Sequence, residues 1–329
     1  MTFFRYINLL SAAALLFCAS CRRDDSWHSA EGMVWNTAYH IQWRGPEELA
    51  DSIMAVLDSV GSTMSVFDPN SLVSRVNDTC ALRVSLMFTE IYATSRRIHK
   101  ETEGAFDPTL APLITAWGFG KGHTCTADTA RIDSLLAITG LHRTHLAGDT
   151  LIKERRDITF NFSAIAKGYG CDAVGAILRR NGVTDMLVEI GGEISCTGEN
   201  PRGAAWRVSV DRPVLQKGAP LHESQILIEV TDAGIATSGD YRNFHESGGT
   251  RFGHTIDPAT GRPVKTDVLS ATAIAPTAME ADAYATSCMV LGSEKSRRLA
   301  TRLHLPVLLV LADSTVWMSE WFMKYIPSR

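Results

Sequence analysis

Polar and apolar positions along the chain change period several times, and each change predicts an element. Over residues 33–43, Met33, Trp35, Thr37, Tyr39, Ile41 and Trp43 fall on one face of an alternating strand. Residues 47–64 then switch to helical spacing through Leu49, Ile53, Val56, Leu57 and Val60. A second helix is predicted over 85–103, stopped by Gly104, and a third over 132–138, stopped by Gly140. Short strands are predicted at 151–152 and 158–162, after Gly148-Asp149. A helix over 166–180 ends at Asn181-Gly182, a good C-terminal stop. Strands follow at 186–190, 206–210, 225–230 and 270–275, then two helices at 278–289 and 294–303, and a last strand at 307–311. Helices and strands mix without a strict βαβ rhythm, which places the chain in the α+β class.

Composition narrows the picture. The chain has 329 residues, is 45% hydrophobic and 21% charged, and carries a net charge of −4. No run of five or more Lys or Arg occurs, so no nucleic acid is expected among its partners. The first residues differ from the rest. Arg5 and the amino terminus supply positive charge, and residues 6–20 are apolar apart from Asn8, Ser11 and Ser20. That stretch is too short to span about 30 Å of hydrocarbon and fits a secretory signal over 1–20. Ala19-Ser20-Cys21 resembles a lipoprotein cleavage site, with Cys18 where such sites usually carry Leu; a plain cleaved signal is the alternative. The expected location is the cell envelope, facing the periplasm and anchored to the membrane by lipid on Cys21. Residues 21–31 read as a polar tether, and 32–329 as one catalytic unit with two lobes. Cys80, Cys125, Cys171, Cys196 and Cys288 are scattered and odd in number, without zinc spacing; each is expected as a buried free thiol, with one or two disulfides as the alternative in an exported chain.

Three segments carry candidate chemistry. In 276–286, Thr277 and Glu280 form a capping box, and Asp282 and Thr286 then stand one helical turn apart. A carboxylate and a hydroxyl so placed offer hard oxygen ligands to Mg²⁺, or simply a solvated helix face. In 161–170 a strand runs into a glycine-containing helix start beside Lys167, an arrangement that suits an anion and also serves as an ordinary turn. In 254–263, His254 precedes an Asp-Pro-x-x-Gly turn and can take a proton near neutral pH. Gly191-Gly192 permits a close backbone approach. A GxGxxG fingerprint does not occur, which disfavours a dinucleotide-binding oxidoreductase.

Together these segments resemble one family. The blocks MSVFDPNSLVSRVN at 64–77, GAFDPTLAPLITAWGFG at 104–120, AIAKGY at 164–169, LVEIGGEI at 187–194, ATSGDYRNF at 236–244, HTIDPATGRPV at 254–264 and APTAMEADAYAT at 275–286 occur in the order of the ApbE family, the FAD:protein FMN transferases. The resemblance runs from about residue 33 to 292 and implies a single ApbE-type, T-fold-like unit with two lobes of mixed sheets and flanking helices. It implies a Mg²⁺ site made by the carbonyl of Ala164 with Asp282 and Thr286. It places Trp35, Phe67, Ala105, Phe106, Asp107, Asn161, Lys167 and Ile256 at positions that hold FAD, and His254 at the base for the acceptor hydroxyl. Trp35-Asn36-Thr37 stands where the family typically has Met-Gly-Thr, and Asn161 where Asp is common.

The implied reaction is transfer of FMN from FAD to a Thr or Ser hydroxyl of an acceptor flavoprotein, with release of AMP. Two alternatives share the site: an FAD pyrophosphatase giving FMN and AMP, and a non-catalytic FAD-binding lipoprotein. The stretch 267–272, Asp-Val-Leu-Ser-Ala-Thr, superficially resembles an acceptor motif but lies in a predicted strand and is read as core.

Overall fold

The alternation at the start of the chain folds as a hairpin rather than one strand. β1 (Trp27–Val34) pairs antiparallel with β2 (Thr37–Arg44), and Trp35 and Asn36 make the two-residue turn at φ values of 48° and 60°. Tyr39, Ile41 and Trp43 keep the expected buried face in β2, but the turn reverses the phase upstream, and Met33 is 68% exposed. A turn of this kind needs left-handed backbone at both residues, which Asn tolerates and a bulky side chain rarely adopts. β1 also takes up 27–31, so the tether predicted over 21–31 gives way to sheet at Trp27. The structure, a computed structural model, describes residues 25–119, 125, 128–216, 219–239, 244–247 and 250–327. The signal-like segment and Cys21 lie outside them.

The chain continues through α1 (Ala50–Met64), α2 (Leu72–Asn77), β3 (Ala81–Arg83), α3 (Leu86–Glu101), α4 (Ala111–Ala116) and α5 (Thr129–Leu136). Next come β4 (Thr144–Ala147), β5 (Thr150–Lys153), α6 (Ala166–Arg180), β6 (Met186–Ile190), β7 (Glu193–Thr197), β8 (Trp206–Gln216) and β9 (Ala219–Val230). The last elements are β10 (Ala233–Gly239), β11 (Phe244–Ser247), β12 (Thr250–Gly253), β13 (Val268–Ala275), α7 (Ala278–Leu303), β14 (Val307–Leu311) and β15 (Val316–Met318). Eight strands form the main sheet in the order β1-β2-β6-β7-β10-β13-β14-β15, with antiparallel ladders. The α+β class holds.

Both faces of that sheet are covered, which is why its central strands lack clean alternation. Ala271, Ala273, Val307 and Leu309 pack on one side with α3 and α7, while Ile274, Leu308 and Val310 pack on the other with Trp206, Val208, Ile228 and Phe322. β2 and β6 meet α1 and α6 through Ile41, Ile53, Leu57, Val174 and Val188. A separate small core joins Leu110, Leu113, Ile132 and Ile256. The two late helices are seen as predicted: Gly292, at φ 72° and ψ 175°, breaks α7 into two helical stretches. Ser270 and Thr272 are fully buried in β13, so the acceptor-like stretch is core.

Two further predictions need correction. Residues 158–162 are not a strand; among the described residues they make one bridge, Leu110 to Thr159. Side chains take the backbone groups that a neighbouring strand would have satisfied. The Asn77 amide donates to Phe160 O (2.9 Å) and accepts from Phe160 N (2.7 Å), and Lys153 Nζ donates to Ile158 O (2.7 Å). The other correction concerns thiols: Cys171, Cys196 and Cys288 are buried and free, but Cys80 is free and exposed and Cys125 free and half-buried.

Candidate active site

Two helix starts and two strand ends converge on Asp282. α7 begins at Thr277, whose side chain accepts from Glu280 N (3.2 Å), the first half of the predicted capping box. The second half is diverted, because the Glu280 carboxylate pairs with Arg97. Asp172 of α6 takes the open donors instead, accepting from Ala278 N (3.0 Å) and Met279 N (2.8 Å). The two helices touch there. A Cβ on Gly168 would lie 2.2 Å from the Ala278 carbonyl oxygen, and one on Gly234 of β10 would lie 2.0 Å from the Ala278 nitrogen. Only glycine permits this approach.

The close packing satisfies one open donor of α6. Gly168 is the third residue of α6, and the N–H groups of a helix's first turn have no partner within the helix. The Gly168 N–H donates to Asp282 Oδ2 at 3.2 Å. Ala164 stands two residues before α6, so its carbonyl is not claimed by the helical ladder. Thr286, one turn on, shares a hydrogen bond with Ser238 of β10 at 3.1 Å.

A second carboxylate completes the cluster. Gly191 and Gly192, at φ 62° and 98°, are the turn between β6 and β7, which sets Ile190 directly opposite Glu193. Opposed residues share a face, and Ile190 is fully buried, so Glu193 is carried inward. Lys167 Nζ meets Glu193 Oε2 at 2.5 Å. Burial, then the Asp282 charge, pushes Glu193 up, against the pull of Lys167. Burial also raises Asp282, opposed by Lys167 and the Gly168 N–H. Burial works against the charge on Lys167, but Asp282 and Glu193 outweigh it and its pKa is raised. One cation therefore faces two buried carboxylates, and the site has room for further positive charge. The sequence signal for Glu193 is Gly191-Gly192: as a hairpin turn rather than only a close approach, it places Glu193 in register with Ile190.

The donor set fits Mg²⁺. Among the described residues no three His, Cys, Asp or Glu side chains gather as a metal centre. The oxygens here come from carboxylate, hydroxyl and backbone carbonyl, and Mg²⁺ is usually held by only one or two carboxylates, the remainder being substrate and water oxygens.

An ApbE family model matches residues 35–309. The chain belongs to the ApbE family. This ApbE chain is 35% identical over 316 residues to the FAD:protein FMN transferase of Vibrio cholerae serotype O1, covering 92% of this chain and 93% of that protein. It is 33% identical to the FAD:protein FMN transferase of Escherichia coli K12, covering 97% of each. Its fold matches the flavin transferase ApbE from Vibrio cholerae with a TM-score of 0.82 at 32% identity, over 92% of this chain and 99% of that one. It matches the apo form of Pseudomonas stutzeri flavinyl transferase ApbE with a TM-score of 0.84 at 29% identity, over 94% and 99%.

The other site residues predicted for this ApbE chain fall into distinct surroundings. Phe67 is 62% exposed on the loop after α1, where its ring is open to a planar ligand. Trp35 folds onto Gly61 and Gly170, spanning α1 and α6. Ala105 and Phe106 are buried, and Phe106 belongs to the main core, so only their backbone is left to face a ligand. The Asp107 carboxylate accepts from Thr109 N (2.8 Å), Thr109 Oγ1 (2.6 Å) and Leu141 N (3.2 Å), holding its own loop in shape. Asn161 Oδ1 accepts from Ser163 N (2.9 Å) and Oγ (2.6 Å), shaping the entry to α6. The Ile256 side chain is spent on the small core. His254 is exposed, its ring edge-on to Phe119 at 6.4 Å between centroids. The turn after it forms as predicted, with Gly261 N donating to Asp257 O at 2.8 Å. The Phe106 and Ile256 side chains thus fill cores, and those of Asp107 and Asn161 shape the loops that carry them. Sequence blocks show which positions recur together but not which atoms of a residue face the ligand.

Proposed function

We propose that this chain is a Mg²⁺-dependent FAD:protein FMN transferase, the activity for which its relatives in Vibrio cholerae and Escherichia coli are named. One observation carries the reading: Asp282, buried against the Gly168 N–H at the start of α6 and one turn from Thr286, belongs to a cluster that Lys167 alone leaves short of positive charge. Ala164, Asp282 and Thr286 would hold Mg²⁺, which supplies charge neutralisation to the FAD diphosphate. Lys167, at the start of α6, adds a fixed cation, and the exposed ring of Phe67 offers a stacking surface to the flavin.

In the reaction an acceptor Thr or Ser oxygen attacks the FMN phosphorus. Its bond to the phosphorus forms as the bond to the AMP oxygen breaks, and the hydroxyl proton passes to His254. FMN ends as a phosphoester on the acceptor protein, and AMP leaves. General-base catalysis of this kind contributes typically 10²–10⁴-fold. The signal-like segment ending at Cys21 supports export and lipid anchoring, which would put the site among envelope flavoproteins.

The test is incubation of the protein with FAD, Mg²⁺ and an acceptor domain. A fluorescent flavin band on a denaturing gel, with AMP released in step, is the expected result. AMP without a labelled acceptor would indicate a pyrophosphatase, and neither product a flavin-binding protein.

A further inference from the structure

The helix that carries Asp282 and Thr286 is gripped on its other side. Glu280 and Tyr284 are also one turn apart on α7, and a helix advances about 100° per residue, so they point roughly opposite to Asp282 and Thr286. Both are met by one pair on α3. Arg97 contacts Glu280, donates to Tyr284 OH (3.2 Å) and pairs with Glu101 Oε2 (3.1 Å). Tyr284 OH in turn donates to Glu101 Oε2 at 2.5 Å. Tyr284 is 6% exposed, so its own two bonds lie half-buried at the helix–helix contact, while the Arg97–Glu280 and Arg97–Glu101 pairs sit at the exposed rim. Beyond the break at Gly292, Arg302 donates to the Glu101 carbonyl, tying the second stretch of α7 to the same residue.

The network explains the unfinished capping box. Glu280 does not close back on Thr277, because Arg97 draws its carboxylate toward α3. α7 is thus located twice. Asp172, Gly168 and Gly234 hold its first turn against sliding, and Arg97 with Glu101 holds it against rotation. Rotation matters for the oxygens. Turning an α-helix by 20° moves a Cα by about 0.8 Å and a side-chain oxygen further. A functional constellation tolerates only about 0.5 Å. α3 also reaches the other helix of the site, since Tyr169 OH of α6 donates to Glu90 Oε2 at 2.8 Å.

We propose that Arg97 and Glu101 are positioning residues for the Asp282–Thr286 cation site: they set the rotation of α7 from the face opposite the chemistry. The assignment rests on the Mg²⁺ reading given above. The test titrates Mn²⁺, as a spectroscopic stand-in for Mg²⁺, into wild-type protein, Arg97→Met, Arg97→Lys and Glu101→Gln, with free Mn²⁺ read by electron paramagnetic resonance. Melting temperature and metal-free FAD affinity are measured alongside. Arg97→Met is expected to weaken Mn²⁺ binding about 5- to 20-fold, with FAD affinity within about twofold of wild type. Arg97→Lys, which keeps one ion pair at a time, should recover most of that loss. Glu101→Gln, nearly unchanged in size, supplies a folded variant should Arg97→Met unfold, and its Mn²⁺ affinity should also fall. Variants that melt earlier yet bind Mn²⁺ as wild type does would overturn the assignment and leave the network a purely stabilising contact. If wild-type protein binds no Mn²⁺, the cation site itself falls, and the positioning role with it.

Discussion

Asp172 accepts the Met279 amide at 2.8 Å and so caps, from a neighbouring helix, the helix that carries Asp282. The cap is made by a group that burial pushes up to about 6, against the pull of the two amide donors and of Ser195. Because the folded pKa lies above the unfolded value of 3.8, this group's contribution to stability is full below about pH 4 and is lost as pH rises through 6. After allowance for partial exposure the change amounts to about 2 kcal/mol. Asp172→Asn removes the titration and one of the two caps. Urea unfolding from pH 4 to 7 should show the variant less stable at pH 4, with the gap to wild type narrowing as pH rises. Parallel profiles would mean Asp172 does not titrate in this window.

Gly168→Ala should be among the most damaging single-methyl changes in this chain. Its Cβ would sit 2.2 Å from a backbone oxygen of Ala278, with a second backbone atom at 2.5 Å. Neither can swing away as a side chain does, so α6 and α7 must separate. A loss of about 2–4 kcal/mol is expected in chemical denaturation, as for overpacked cores. A midpoint matching wild type would show that the helices have slack at this contact.

Removing the Asp282 carboxylate tests the site directly. Asp282→Ala should abolish Mg²⁺-dependent turnover while far-ultraviolet circular dichroism stays as in wild type. Wild-type rates at saturating FAD and Mg²⁺ would take Asp282 out of the cation site.

His254→Ala should separate rate from affinity. Transfer to the acceptor is expected to slow by about 10²–10⁴-fold, with FAD affinity changed by no more than a few-fold in fluorescence titration. The reverse pattern, affinity lost and rate kept, would make His254 a binding residue.

Lys153 is a structural counterpart to Lys167. It donates to the carbonyls of Asn77 (3.1 Å), Arg156 (3.0 Å) and Ile158 (2.7 Å), and burial lowers it to about 8, which still leaves it charged at pH 7. Lys153→Met strands three carbonyls and should cost about 2–4 kcal/mol in urea unfolding, without a change in the Mg²⁺ dependence of transfer. A variant as stable as wild type would mean that water satisfies those carbonyls.

What the sequence determined by itself is whatever depends on near neighbours along the chain. The helical period placed Asp282 and Thr286 on one face, the apolar spacing located α1, α3 and α6, and the Asp-Pro-x-x-Gly stretch after His254 announced its turn. The ordered blocks from 64–77 to 275–286 carry the family resemblance without any knowledge of the fold. What only the tertiary structure decided is how groups far apart in sequence meet: Glu193 with Lys167, Asp172 with the start of α7, and Arg97 with Glu280. These pairings follow from strand order, from a hairpin turn at Gly191-Gly192 and from a helix contact that only Gly168 and Gly234 permit. The charge state and reach of a carboxylate depend on what buries it, and burial is a property of the packed chain rather than of any local window.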